Sequence, residues 1–157
     1  MEDSIKISWT DYDELVTQIA LDLQSNYNLN NTLLLGMNRG GLPTTVHLSH
    51  LLELPMSILN YRHIDGIKET TPEVFHAHTQ ELSLFKNFIL VDDIHDSGHS
   101  MDECRKYLEL YNVNLITVAL SCNTHYEGNS KLVYPDIVGL LINNKAESKW
   151  VVFPWEQ

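Results

Sequence analysis

Phe88-Ile89-Leu90-Val91-Asp92-Asp93-Ile94-His95-Asp96-Ser97-Gly98-His99-Ser100 is the stretch on which the reading of this chain turns. Its four leading apolar residues form an unbroken run, the pattern of a strand buried on both faces rather than of a half-exposed one. Two carboxylates end the run, a short polar loop with a glycine follows, and Met101, Cys104, Leu108 and Tyr111 then recur at helical spacing. Strand, loop and helix in that order are one half of a parallel βαβ unit.

Working outward, the same alternation repeats. Thr10 followed by Asp13 and Glu14 marks a helix start, and Leu15, Ile19 and Leu23 carry a helix from about Asp11 to Ser25. Leu33-Leu34-Leu35 is a short strand of the buried kind, broken at Gly36 to Gly41. Leu42, Val46, Leu48, Leu51 and Leu52 then mark a helix that stops before Pro55. Met56 to Tyr61, Leu115 to Leu120, Ile137 to Ile142 and a closing Trp150 to Phe153 are further strands. Arg62 to Leu84 is polar and aperiodic, with Gly66 and Pro72. It reads as a long surface excursion with a short edge strand, the kind of loop that serves as a flexible lid. The fold class expected is α/β, a mostly parallel twisted sheet flanked by helices in a Rossmann-like arrangement, with residues 1–157 forming one domain.

Composition narrows the function. Ten Lys plus Arg against 21 Asp plus Glu give a net charge of −11, which repels a nucleic-acid backbone and leaves a small anionic ligand as the more natural partner. The apolar runs are strand-sized, so no membrane association is expected, and Met1 to Ser4 opens no secretory leader, which makes the cytoplasm the expected location. Two cysteines, Cys104 and Cys122, are too few for a disulfide framework and read as free thiols. His76 and His78 fall on one side of a strand, but no third ligand matches their spacing.

In an open α/β sheet ligands gather at the carboxyl ends of the strands, which is where Asp92 and Asp93 fall. Neighbouring strand residues point to opposite faces, so different roles are expected of the two, one accepting hydrogen bonds from vicinal ribose hydroxyls and the other helping to hold a hydrated Mg2+. Gly98 permits close backbone approach, and Ser97 and Ser100 bring hydroxyls to a helix N-terminus, the parts of a phosphate cradle. Helix capping alone would explain any one of these residues, but not the whole run. A Walker-B strand also reads apolar-Asp-Asp, yet no G-x-x-x-x-G-K-[ST] loop occurs in the chain. A receiver-like signalling domain needs acidic residues after the first strand, where Gly36-Met37-Asn38 stands instead.

The run resembles the motif by which type I phosphoribosyltransferases bind 5-phosphoribosyl-1-pyrophosphate (PRPP), with serine at both usual threonine positions and His95 where an apolar residue is more usual. Gly36-Met37-Asn38-Arg39-Gly40-Gly41 resembles the pyrophosphate loop of the xanthine-guanine branch, and the resemblance implies a cis peptide at Asn38-Arg39. Lys149-Trp150-Val151-Val152-Phe153-Pro154-Trp155-Glu156 resembles the ending of the purine enzymes, and Tyr61-Arg62 resembles archaeal members.

The resemblance implies a Mg2+-dependent enzyme that moves a phosphoribosyl group from PRPP to a nucleobase, a purine such as guanine, xanthine or hypoxanthine. It further implies that the protein assembles as a dimer or tetramer. Arg39, Gly40 and Gly41 would face pyrophosphate, Asp92 and Asp93 the ribose and the metal, and Ser97, Gly98, His99 and Ser100 the 5-phosphate. Asp96 would be the general base, Trp150 would stack on the base, and Val151 would contact it through its backbone. One departure stands out. Purine enzymes carry a lysine near the end of the next strand, where this chain reads Ser121-Cys122-Asn123-Thr124-His125; these side chains, or Lys149, remain as substitutes. The alternative is a non-catalytic PRPP-sensing regulator of the same fold.

Overall fold

The computed structural model describes residues 4–61, 71–75, 79–124, 133–142 and 150–157. Its first elements are β1 (Ile5–Lys6), α1 (Trp9–Asn26), β2 (Thr32–Met37), α2 (Gly41–Leu52) and β3 (Met56–Asn60). There follow β4 (Glu73–Phe75), β5 (Asn87–His95), α3 (His99–Leu108), β6 (Asn114–Asn123), β7 (Ile137–Ile142) and β8 (Val151–Val152). Six strands form the main sheet in the order β4-β3-β2-β5-β6-β7, parallel throughout except for β4, which runs antiparallel to β3 at one edge. The expected α/β class with a mostly parallel, helix-flanked sheet is what the chain adopts.

The unbroken apolar runs explain the layering. Leu34, Ile89 and Val91 pack with Val16, Ile19 and Leu23 of α1 and Leu48 of α2 on one face. Leu33, Leu35, Phe88 and Leu90 alternate to the other face, against Met101, Cys104 and Leu108 of α3. Strands β2 and β5, at the centre of the sheet, therefore bury both of their faces, as a parallel sheet covered on two sides requires.

Several bounds differ from the sequence expectation: β2 continues through Gly36 to Met37, and β5 runs on through Asp92 and Asp93 to His95, where the sequence pattern puts the carboxylates after the strand. Helix α1 starts earlier than Thr10: Ser8 is its cap, with Ser8 Oγ accepting from the Asp11 N–H at 3.1 Å and Asp11 accepting from the Ser8 N–H at 3.0 Å. The polar-x-x-acidic spacing of Thr10 and Asp13 recurs two residues earlier at Ser8 and Asp11, and it is there that the complete capping box forms. The closing strand β8 does not join the main sheet but pairs in parallel with β1, bringing the two ends of the chain together. In the long excursion, β4 is the expected edge strand and Thr79–Leu84 forms a 3-10 turn; residues 62–70 and 76–78, including His76 and His78, lie outside the described residues. Among the described residues no helix is long and apolar enough to cross a membrane.

Candidate active site

Strand order decides where the site lies. From β2 the chain proceeds to β3 on one side, while β5 lies on the other, so the ends of β2 and β5 flank a point where the winding of the sheet reverses. Such a point opens a crevice at the carboxyl edge. The loop Asn38–Gly40 follows β2 there, and Asp92 to Ser100 spans the end of β5 and the start of α3.

A cleft of about 320 Å3 lies at this edge, lined by every residue from Asp92 to Met101 together with Asn123 and Trp150. A second cleft, lined by Arg39, Gly40, Asp93, Trp155 and Glu156, adjoins it through Asp93. Trp150 is 69% exposed at the first cleft, so the indole is not part of the core. Trp155 is the packed one: it stacks on Phe153 with centroids 4.9 Å apart and meets the ring of Tyr12 edge-on.

The two aspartates stand closer than strand alternation implied. Asp93 N–H donates to Asp92 Oδ1 at 3.0 Å and Ile94 N–H to Asp93 Oδ1 at 2.7 Å, and the two side chains also interact with one another. Burial, then the charge of Asp93, lift Asp92 well above the ordinary carboxylate range. Burial also raises Asp93, with the Ile94 N–H pulling the other way and Glu156 adding repulsion.

Among the described residues neither carboxylate has a cationic partner. Hard oxygen donors carrying uncompensated negative charge fit Mg2+, which accepts one or two carboxylates and completes its shell with water and phosphate oxygens. No cluster of three or more His, Cys, Asp or Glu side chains suited to a metal ion occurs among the described residues.

Glycines let the β2 loop close on this pair. A Cβ on Gly40 would overlap the Asp93 carboxylate, and one on Gly41 would overlap the Val91 carbonyl, so the loop that carries Arg39 packs this close to the end of β5 because neither position bears a side chain. The Asn38–Arg39 peptide is cis, where the resemblance implied one. The side chain of Asn38 donates to Asn60 Oδ1 at 3.2 Å, tying this loop to the end of β3.

At the other side, Gly98 takes φ +78° and caps α3 without any side-chain hydrogen bond, and Asp102 N–H makes the first helical bond, to Gly98 O at 3.0 Å. Among the described residues, Ser97 Oγ reaches the His99 N–H, at 3.5 Å. Ser100 and Met101 thus present first-turn N–H groups that no cap consumes, the arrangement of an anion-binding helix start.

Asp96 is exposed on the loop between, and Asn123 Nδ2 donates to its Oδ1 at 3.1 Å. His95 is buried below, its Nδ1 3.6 Å from Cys122 Sγ, and burial is the main cause that lowers its affinity for a proton.

The structure therefore brings Asp92, Asp93, Asp96, Ser97, Gly98, His99, Ser100 and Trp150 into one cleft, with Arg39 and Gly40 in the cleft beside it. Gly41 packs behind the loop. Val151 is 2% exposed and lines neither cleft; the carbonyls of Trp150 and Val152 bond to β1, so its own N–H and C=O face away from β1. His125 and Lys149 lie outside the described residues. Sequence alone does not single out Glu156, whose approach to Asp93 depends on the chain closing on itself, nor the pairing of Asn123 with a residue 27 positions earlier.

A family model described as the phosphoribosyl transferase domain matches residues 8–157. Among solved structures, the chain is similar to a purine phosphoribosyltransferase from Pyrococcus horikoshii at 22% identity, covering 98% of this chain and 95% of that one, TM-score 0.75. It is similar at 20% identity to a hypothetical protein from Neisseria gonorrhoeae with bound ppGpp, with 100% and 91% covered and TM-score 0.73. A xanthine-guanine-hypoxanthine phosphoribosyltransferase from Helicobacter pylori matches at 17% identity, with 99% and 94% covered and TM-score 0.72. At these identities the likeness is one of fold. A sequence comparison with curated proteins gave no match.

Proposed function

We propose a function from the premise that this chain belongs to the phosphoribosyl transferase domain family: it moves the 5-phosphoribosyl group of PRPP to a nucleobase, a purine for preference, releasing pyrophosphate. The observation that carries this is the composition of a single cleft, in which a half-buried carboxylate pair, an uncapped helix N-terminus and an exposed indole meet.

Each part contributes differently. The first-turn N–H groups of Ser100 and Met101 and the hydroxyls of Ser97 and Ser100 anchor the 5-phosphate, and the indole of Trp150 stacks on the base. Asp92 and Asp93 would hold Mg2+ and the ribose hydroxyls; the ion, when bound, neutralises charge on the pyrophosphate leaving group. Arg39 adds a fixed positive charge beside Asp93. A base nitrogen bonds to ribose C1 as the C1–O bond to pyrophosphate breaks, the electron pair leaves with pyrophosphate, and Asp96 takes the proton released near N7 of a purine. Water is kept from C1 by the excursion over residues 63–84 acting as a lid. The net charge of −11 supports small-molecule substrates over nucleic acid, and the protein works as a cytoplasmic homo-oligomer in this reading.

One observation favours a second reading, a PRPP-binding regulator without turnover: the end of β6 offers Asn123 where the resembled purine enzymes carry a lysine nearby, and its amide is already engaged by Asp96. Pyrophosphate release from PRPP and Mg2+ decides between them, measured with guanine, xanthine, hypoxanthine, adenine, uracil and orotate. Turnover with one base, reduced about 100-fold or more in Asp96→Asn, is the expected result. PRPP binding without turnover on any base selects the regulator, and no PRPP binding overturns both.

A further inference from the structure

Two side chains on one face of β6, Ser121 and Asn123, reach across to the neighbouring chain segment at the cleft. Ser121 Oγ donates to Asp93 O at 3.1 Å, and Asn123 Nδ2 donates to Asp96 Oδ1 at 3.1 Å. The two differ in what they hold: Ser121 fixes backbone, whereas Asn123 fixes a carboxylate that lines the cleft. Asn123 is itself 2% exposed and sits on a central strand, flanked by β5 and β7, so its position is set by the sheet and not by a loop. Asp96 is exposed and belongs to a loop, so that without the Asn123 contact its carboxyl would sample the staggered rotamers.

We propose that Asn123 is the positioning residue of the proposed reaction, holding Asp96 through a neutral amide donor so that the carboxylate keeps one orientation toward the base. The inference rests on the reading of Asp96 as general base and deepens it. A neutral donor is well suited to this role, because it orders the carboxylate while leaving it its charge and one oxygen for the substrate proton, where a cation in the same place would compete for both. A buried strand residue also gives what a catalytic loop cannot supply for itself, a fixed point from which to hold a group in near-attack geometry.

The test is a double-mutant cycle on whichever base the wild type turns over, with Asn123→Ala, Asp96→Asn and the pair. Asn123→Ala is expected to lower kcat about 10- to 100-fold with KM for PRPP changed less than about twofold, since misplacement of the general base and not PRPP binding is affected. The paired variant is expected to be no slower than Asp96→Asn alone, because Asn123 has nothing left to position. Multiplicative losses in the pair, or a raised base KM at unchanged kcat, overturn the proposal, the latter by making Asn123 a direct contact for the base.

Circular dichroism and PRPP calorimetry on Asn123→Ala separate a folding defect, and Asn123→Ser, which shortens the side chain but keeps a buried polar group, serves if the alanine variant does not fold. Should the wild type turn over no base, the functional reading fails by itself. The side-chain amide resonance of Asn123 then decides the rest: a shift in Asp96→Asn upholds the positioning contact, and an unmoved resonance removes it.

Discussion

Asp92 and Asp93 hold their protons more tightly in the folded chain than when unfolded, because burial works against both charged forms, with the charge of Asp93 adding to it at Asp92 and that of Glu156 at Asp93. The sign of the linkage follows. With folded values raised, the pair's contribution to stability is complete below the ordinary carboxylate range and is lost as pH climbs through the raised values. In metal-free buffer, Asp92→Asn is therefore expected to melt a few degrees above wild type. The gap should widen as pH rises above about 4, and the variant should bind Mg2+-PRPP more weakly. Thermal melts across pH, with calorimetry at neutral pH, check this; a variant that melts below wild type at neutral pH would mean that the pair stabilises the fold without a cation. At this scale the sequence was legible wherever chemistry is local. The run Asp92 to Ser100 shows its carboxylates, glycine and hydroxyls directly, while the approach of the two carboxyls to one another, on a strand that runs on to His95, is not visible in an alternating pattern.

Helices α1 and α3 begin in opposite ways. Helix α1 closes its N-terminus with the Ser8–Asp11 box, whereas α3 starts at Gly98 in a left-handed conformation with no side-chain cap. A capped end is a structural device and an uncapped one at a cleft is a binding device. Gly98→Ala is expected to cost about 1–2 kcal/mol in urea unfolding, from the left-handed backbone, and to weaken PRPP binding about tenfold by disturbing the first turn. Ser8→Ala, the control, is expected to cost about 1 kcal/mol and leave PRPP affinity unchanged. Equal effects of the two on PRPP binding would mean that the α3 terminus holds no phosphate. Both helices were readable from apolar spacing. The start of α1 was displaced because Thr10 and Ser8 both head a polar-x-x-acidic pattern, and only the packed entry of the chain from β1 selects between them.

Across the whole molecule, the site depends on the two ends of the chain meeting. β8 pairs with β1, Gln157 Nε2 donates to Ile7 O at 3.1 Å, and Phe153 with Trp155 pack on α1 through Tyr12, which leaves Trp150 projecting at the cleft. Because that indole is exposed, Trp150→Ala is expected to leave the melting temperature within about one degree of wild type while raising the KM for the base about tenfold or more. A large loss of stability would place the indole in the core instead, and an unchanged KM would remove it from base binding. The sequence by itself determined the strand–loop–helix units, the two-faced burial of the sheet and the chemistry of Asp92 to Ser100, since period and motif are properties of neighbouring residues. The tertiary structure alone decided that β5 lies beside β2, that β8 leaves the main sheet for β1, and that Asn123 reaches Asp96. Those are choices among strands of similar apolar content, settled by how their faces pack against α1, α2 and α3 at long range, and no local pattern records them.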